Sequence, residues 1–146
     1  MNKYQARKIL ESVSENKTKL SFLFSKLEVI ENDISYFYLH SHSKKEFNLS
    51  KNTPGKSLES FLLDLINEKE VLLKNIEAAK AEIDFIVFLI ENLEDPKSKY
   101  ILFNKFISLK KDYFIYKNLN YCRSHFFSLL HKAEIEFSEI YKNYAV

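Results

Sequence analysis

Between residues 57 and 93, apolar side chains recur at alternating steps of four and three. They are Leu58, Leu62, Leu65, Leu72, Ile76, Ala79, Ile83, Ile86, Ile90 and Leu93, with Lys69 the one interruption. A repeat averaging three and a half residues keeps one narrow stripe facing a partner helix, so the segment reads as a coiled-coil strand. A second seam precedes it: Ile9, Val13, Asn16, Leu20, Leu23, Leu27, Ile30, Ile34 and Phe37. Its polar member, Asn16, has two readings, a buried amide that sets register or a kink in the helix. Phe22, Phe24 and Val29 widen the stripe, so a third surface is expected to pack there. The two seams predict a long antiparallel helical hairpin, paired either within a chain or between chains.

The intervening HSHSKKEFNLSKNTPGKS is polar and rich in helix breakers. Pro54-Gly55 marks a turn and Ser57 an N-cap, giving an expected loop at about 41–56. His40 and His42 stand at its start with no carboxylate or cysteine at ligand spacing, so they read as ordinary loop histidines.

A new helix is expected after Leu93, with Asp95 as N-cap and Pro96 as its first residue. It would carry Tyr100, Ile101, Phe103, Phe106 and Ile107 inward. The charged LKKD break follows, then a short apolar cluster from Tyr113 to Leu119. Asn120 suits the left-handed conformation that ends a helix. A last helix is expected from about Arg123 to Tyr141, with Phe126, Leu130, Ala133, Phe137 and Ile140 on one face. Three helices, the middle one short and followed by a tight turn, fit a helix-turn-helix. The expected fold is therefore all-α, a hairpin over 1–93 followed by a helix-turn-helix module over 94–146.

Composition narrows the field. A single Gly and two Pro among 146 residues leave no GxGxxG or GxxxxGK[ST] phosphate loop. The lone Cys122 leaves neither a disulfide framework nor a zinc cluster. The opening MNKYQARKIL lacks a secretory apolar run, and no stretch of about 18 apolar residues is present to span a membrane. A soluble, cytoplasmic protein without a membrane partner is expected.

The net charge of +2 is unevenly distributed. Between 105 and 132 lie Lys105, Lys110, Lys111, Lys117, Arg123 and Lys132 against Asp112 alone, and the acidic Glu134, Glu136 and Glu139 follow. A basic segment at a helix-turn-helix is an electrostatic footprint for nucleic acid, although a solvated face has the same composition. No catalytic residues, metal site or cofactor are expected. The histidines form no recognisable set with a nucleophile, and Cys122 with His125 lacks a third orienting group. Nine Tyr and thirteen Phe lie mostly at core spacing, so packing accounts for them better than base stacking.

The run from Ile90 to Tyr141 resembles the C-terminal region of the ArpU/RinA-like phage transcriptional regulators. Leu93, Asp95 and Pro96 match the helix start, and Leu102, Phe106 and Ile107 its end. Ile115, Leu119, Tyr121, Arg123, Ser124, Phe126, Leu129, Ala133, Phe137 and Tyr141 match the helix-turn-helix. The resemblance implies a sigma-region-4-like module that binds promoter DNA of a phage or mobile element in a bacterial cytoplasm and controls late genes. It implies Arg123, Ser124, His125, Ser128 and His131 toward bases, and Lys110, Lys111, Lys117 and Lys132 toward phosphates. Tyr116 departs from a small alanine in that pattern, and Cys122 from a capping serine. Ser128, Leu130 and His131 stand where cations are common.

Two functional readings follow. In one, the chain is a DNA-binding regulator, a homodimer through the seam Leu58, Leu62, Leu65, Leu72, Ile76, Ile83, Ile86 and Ile90, with double-stranded DNA as partner and either RNA polymerase or another regulator protein as a further one. In the other, it is a helical interaction protein that binds another regulator or a host protein. The pairs Phe126-Phe127 and Leu129-Leu130 would then help form the interface.

Overall fold

The computed structural model describes residues 3–40 and 58–145. The expected loop, its Pro54-Gly55 turn, His42 and the Ser57 cap lie outside the described residues. The architecture is all-α: α1 (Lys3–His40), α2 (Leu58–Glu91), α3 (Pro96–Leu102) continued by a π-helical turn (Phe103–Ile107), α4 (Asp112–Asn118) and α5 (Arg123–Tyr144). Among the described residues, no helix is long and apolar enough to cross a membrane.

Two compact units divide the chain, residues 1–18 with 80–146 and residues 19–79. In the 19–79 unit α1 and α2 run antiparallel. Leu23 and Ile30 of α1 and Leu72 and Ile76 of α2 are buried together, with Leu20, Leu27 and Ile34 packed against them. Lys69, the break in the α2 seam, sits at the edge of this interface and reaches Glu31 across it at 3.5 Å. Both partners are substantially exposed, so this pair directs register more than it stabilises.

The other unit joins the first turns of α1 and the last turns of α2 to everything after residue 93. Ala6, Leu10 and Val13 share one core with Ile86, Leu89, Ile90 and Leu93, with Ile101, Leu102, Phe106 and Ile107, and with Ile115, Phe126, Leu130, Ala133 and Phe137. That core runs across position 93 without a boundary. The two seams face each other within the chain, and of the expected oligomerisation seam Leu65, Leu72, Ile76, Ile86 and Ile90 are buried by the chain itself. Ile83 packs on the same core, and Leu58 and Leu62 are half-buried.

Asn16 resolves in favour of the buried amide. α1 continues unbroken through it, and its Nδ2 donates to Glu82 Oε2 of α2 at 2.9 Å. Asp95 caps α3 as the sequence predicts, its carboxylate accepting from the Lys97 N–H at 3.0 Å with Pro96 as first helical residue.

Phe103 is a correction: expected inward, it is exposed. Ser98, Ile101 and Leu102 set the buried face of α3, and regular helical spacing places Phe103 about 200° from Ile101, on the outer side. The π-helical turn that follows adds a residue to the repeat and brings Asn104, Phe106 and Ile107 inward. The Asn104 side chain is satisfied by the Tyr100 carbonyl at 2.8 Å. The turn ends at Leu109, held at φ 56, while the Lys110 N–H reaches back to the Asn104 carbonyl at 2.9 Å. A left-handed conformation costs a branched, non-glycine residue roughly 1–2 kcal/mol. Lys17 of α1 donates to the Ile107 carbonyl and anchors this end of the turn.

Candidate nucleic-acid interface

α4 spans seven residues, and its exit is a Schellman motif. Asn120 sits at φ 57, its N–H donates to the Lys117 carbonyl at 3.1 Å, and the Tyr121 N–H donates to the Tyr116 carbonyl at 2.9 Å. This pair of bonds satisfies carbonyls that the helix end would otherwise leave open. Four residues, 119–122, then separate α4 from the 22-residue α5. A short helix, a tight turn and a longer helix make the expected helix-turn-helix.

The two helices meet through an aromatic contact. Tyr116 packs at a tilt on the fully buried Phe126 with ring centroids 5.6 Å apart, and Tyr113 meets Tyr116 edge-on at 5.6 Å.

The start of α5 is open. Cys122 occupies the N-cap in extended conformation, and no side chain caps the first turn. Its thiol is exposed, 3.4 Å from the Ser124 hydroxyl. That hydrogen bond, and next the His125 backbone N–H, hold the thiol below its ordinary ionisation range. Helix N-termini stabilise anions by the same route.

All five residues expected toward bases, Arg123, Ser124, His125, Ser128 and His131, are exposed. Their local contacts preorganise several of them. The Arg123 guanidinium lies 5.6 Å from the Phe127 ring, His125 meets Tyr121 edge-on at 4.6 Å, and the Ser128 hydroxyl donates to the Ser124 carbonyl at 3.1 Å. The four lysines expected toward phosphates are also exposed but do not share one surface. Lys117 stands on α4, its ammonium 3.1 Å from the Tyr113 hydroxyl. Lys110 and Lys111 line a depression of about 620 Å³ with Glu11 and Glu15 of α1. Lys132 borders another depression beside Glu94, Asp95, Glu136 and Glu139, a setting that disfavours phosphate.

Two residues escaped the sequence reading. Lys97, from the first turn of α3, places its ammonium 5.8 Å from the Tyr121 ring, the ring that His125 also meets. Nothing in the spacing of Lys97 foretells this, because the neighbours are 24 residues apart in the chain (121 minus 97). Glu134, read as part of an acidic tail, is fully buried, and Arg7 of α1 holds it through Nε at 3.0 Å and Nη2 at 2.9 Å. The apolar pairs expected at an interface are likewise divided. Phe126 and Leu130 belong to the core, and Phe127 remains exposed with Leu129 half-buried. Among the described residues, no group of three or more His, Cys, Asp or Glu side chains is arranged to hold a metal ion.

Comparison of the chain with protein-family models, with curated protein sequences and with solved structures finds no match.

Proposed function

We propose that the protein is a regulator that binds double-stranded DNA through α4 and α5, with the first turns of α5 in the major groove. The observation that carries this reading is the exposed, uncapped start of α5 behind a Schellman turn. Arg123, Ser124, His125, Ser128 and His131 are presented there on a helix whose opposite face is locked into the core. A rigid helix bearing an arginine and small polar groups at its N-terminal end has the chemistry of direct base readout. Arg123, Lys117 and Lys97 are the cations best placed for flanking phosphates. The resemblance of residues 90–141 to phage late-gene regulators makes promoter DNA of a phage or mobile element the expected target, in a bacterial cytoplasm.

The test is selection of bound duplexes from a random library, followed by anisotropy titration at several salt concentrations. A recovered consensus and a logarithmic salt slope of roughly −3 per copy, from about three neutralised phosphates, support the reading. No enrichment, with no binding even at low salt, overturns it.

A second reading, a helical interaction protein, is favoured by the apolar residues left exposed on the long helices, Phe22, Val29 and Val71 among them. Scattered exposed apolar residues are common, whereas several on one helical pair suit a protein interface.

A further inference from the structure

Two faces of the unit built from residues 1–18 and 80–146 carry exposed aromatic residues with opposite charge. The first belongs to the end of α2. Phe85 and Phe88 lie on its outer side, Phe85 edge-on to Tyr141 at 6.1 Å and Phe88 edge-on to Tyr144 at 5.4 Å. Asp84 and Glu91 stand four residues before and three after Phe88, which places them beside it on the helix surface. From 81 to 96 the chain carries Glu82, Asp84, Glu91, Glu94 and Asp95 and no cation.

The second face surrounds the start of α4. Leu109, Tyr113 and Phe114 are exposed by 49%, 50% and 57%, with Lys110 and Lys111 between them. The one acid of this segment, Asp112, is held by Lys105 at 2.6 Å. Across the adjoining depression stand Glu11 and Glu15 of α1, which reduce the positive charge at that wall without removing it. Leu109 is the unusual residue. Glycine or asparagine would close this turn without strain, yet the position holds a leucine in left-handed conformation, and half of it faces solvent. It contributes little to its own core, so its placement calls for an explanation outside the chain.

The two faces cannot meet within one molecule. α1 runs between them: Glu11 and Glu15 line the depression on the α4 side, and Ile9 and Ser12 line the one beside Phe85 and Tyr141. We propose that a second copy of this chain joins them, the α2 face with Asp84, Phe88 and Glu91 docking on the α4 face with Leu109, Lys110, Lys111 and Phe114. Aromatic contact supplies the buried area, and the carboxylates opposite the two lysines supply the orientation. Such a contact uses different patches on the two copies, so it is heterologous and adds copies head to tail. It leaves Lys117 and Arg123 to DNA and does not rest on the DNA-binding reading.

Sedimentation equilibrium without DNA tests the pairing, on the full chain and on two charge-reversal variants, K110E/K111E and D84K/E91K. The wild type is expected to gain mass with concentration at low salt and to lose that gain at high salt. Each variant alone loses association by roughly tenfold or more, since two attractions become repulsions. A one-to-one mixture of the variants recovers it, because each reversed face then meets its complement. Circular dichroism melting checks that both variants remain folded. A wild type that stays monomeric throughout overturns the proposal. So does association that both variants retain, or a mixture that fails to recover it.

Discussion

Arg7, in the second turn of α1, closes two N–H groups on the carboxylate of Glu134, a residue of α5 with no solvent exposure, 127 positions away in the chain. The pair ties the start of the chain to the back of the helix that presents the candidate reading surface. Removing Arg7 strands a buried charge, and breaking such a pair typically costs about 3–5 kcal/mol. Arg7 is itself about one-third exposed, at 37%, which lets water reach part of the site. We therefore expect Arg7→Ala to destabilise at the lower end of that range. The double substitution Arg7→Met/Glu134→Leu should recover most of the loss. Urea denaturation of the single and double variants measures both.

Asn16 and Glu82 make a second polar contact at a buried position, and here the prediction runs the other way. Replacing Asn16 by Leu removes the donor and adds apolar volume to a seam that is otherwise apolar. Glu82 is solvent-exposed and regains water in place of the amide. Thermal stability should hold or rise, while the register of α1 against α2 becomes less strictly specified. Hydrogen exchange of the 8–20 backbone would report the loosening as faster exchange despite an equal or higher Tm.

The positive φ at Asn120 makes a prediction about side-chain shape. A β-branched residue there clashes with its own backbone, so Asn120→Val should cost about 1–2 kcal/mol. Asn120→Gly accepts the same conformation and should stay within several tenths of a kcal/mol of wild type. Chemical denaturation separates the two variants. Equal stability for both would show that the Schellman turn does not hold the helix-turn-helix together.

Cys122 ionises more readily than an ordinary cysteine, first through the Ser124 hydroxyl and then through the His125 N–H. A lowered folded-state value means that the thiolate stabilises the fold above the unfolded-state value. That contribution is lost as pH falls through the folded-state value. Alkylation by iodoacetamide should therefore reach its half-maximal rate at a lower pH in the native protein than in the urea-unfolded chain. Ser124→Ala should move the native midpoint back upward. An unchanged midpoint in that variant would remove the hydroxyl as the cause.

The long elements were legible because their periodicity is local. The alternating four-three spacing of Leu65, Leu72, Ile76 and Ile86 marks a buried face wherever the partner lies, and Asp95-Pro96 and Asn120 punctuate the chain by their own chemistry. Three features were hidden because they depend on tertiary neighbours. The π-helical turn brings Asn104 inward by an insertion that no spacing rule reveals. Glu134 reads as a solvated acid until Arg7 is beside it. The seam of α2 carries no sign of which chain it pairs with. The outward-facing side of α5 was legible in the helical spacing, and the five side chains expected there are exposed. The distribution of its lysines was not, since Lys132 gains its acidic surroundings partly from Glu94 and Asp95, nearly forty residues earlier in the chain (132 minus 95 is 37).

That distribution makes the sharpest prediction for DNA binding. The four lysines and Arg123 are all exposed, so a purely electrostatic surface would treat them alike. The geometry separates them. Lys117 stands on α4 and Arg123 at the start of α5, whereas Lys132 shares its depression with four carboxylates. Neutralising Lys117 and Arg123 together should weaken duplex binding by roughly 10–100-fold and reduce the salt slope by about two. Arg123→Ala alone should also relax the preferred sequence if its guanidinium reads a base. Lys132→Ala should leave both affinity and salt slope near wild type. Anisotropy titrations on one selected duplex at three salt concentrations distinguish these cases. Equal losses from Lys132 and Lys117 would mean that the DNA surface lies on a different side of α5.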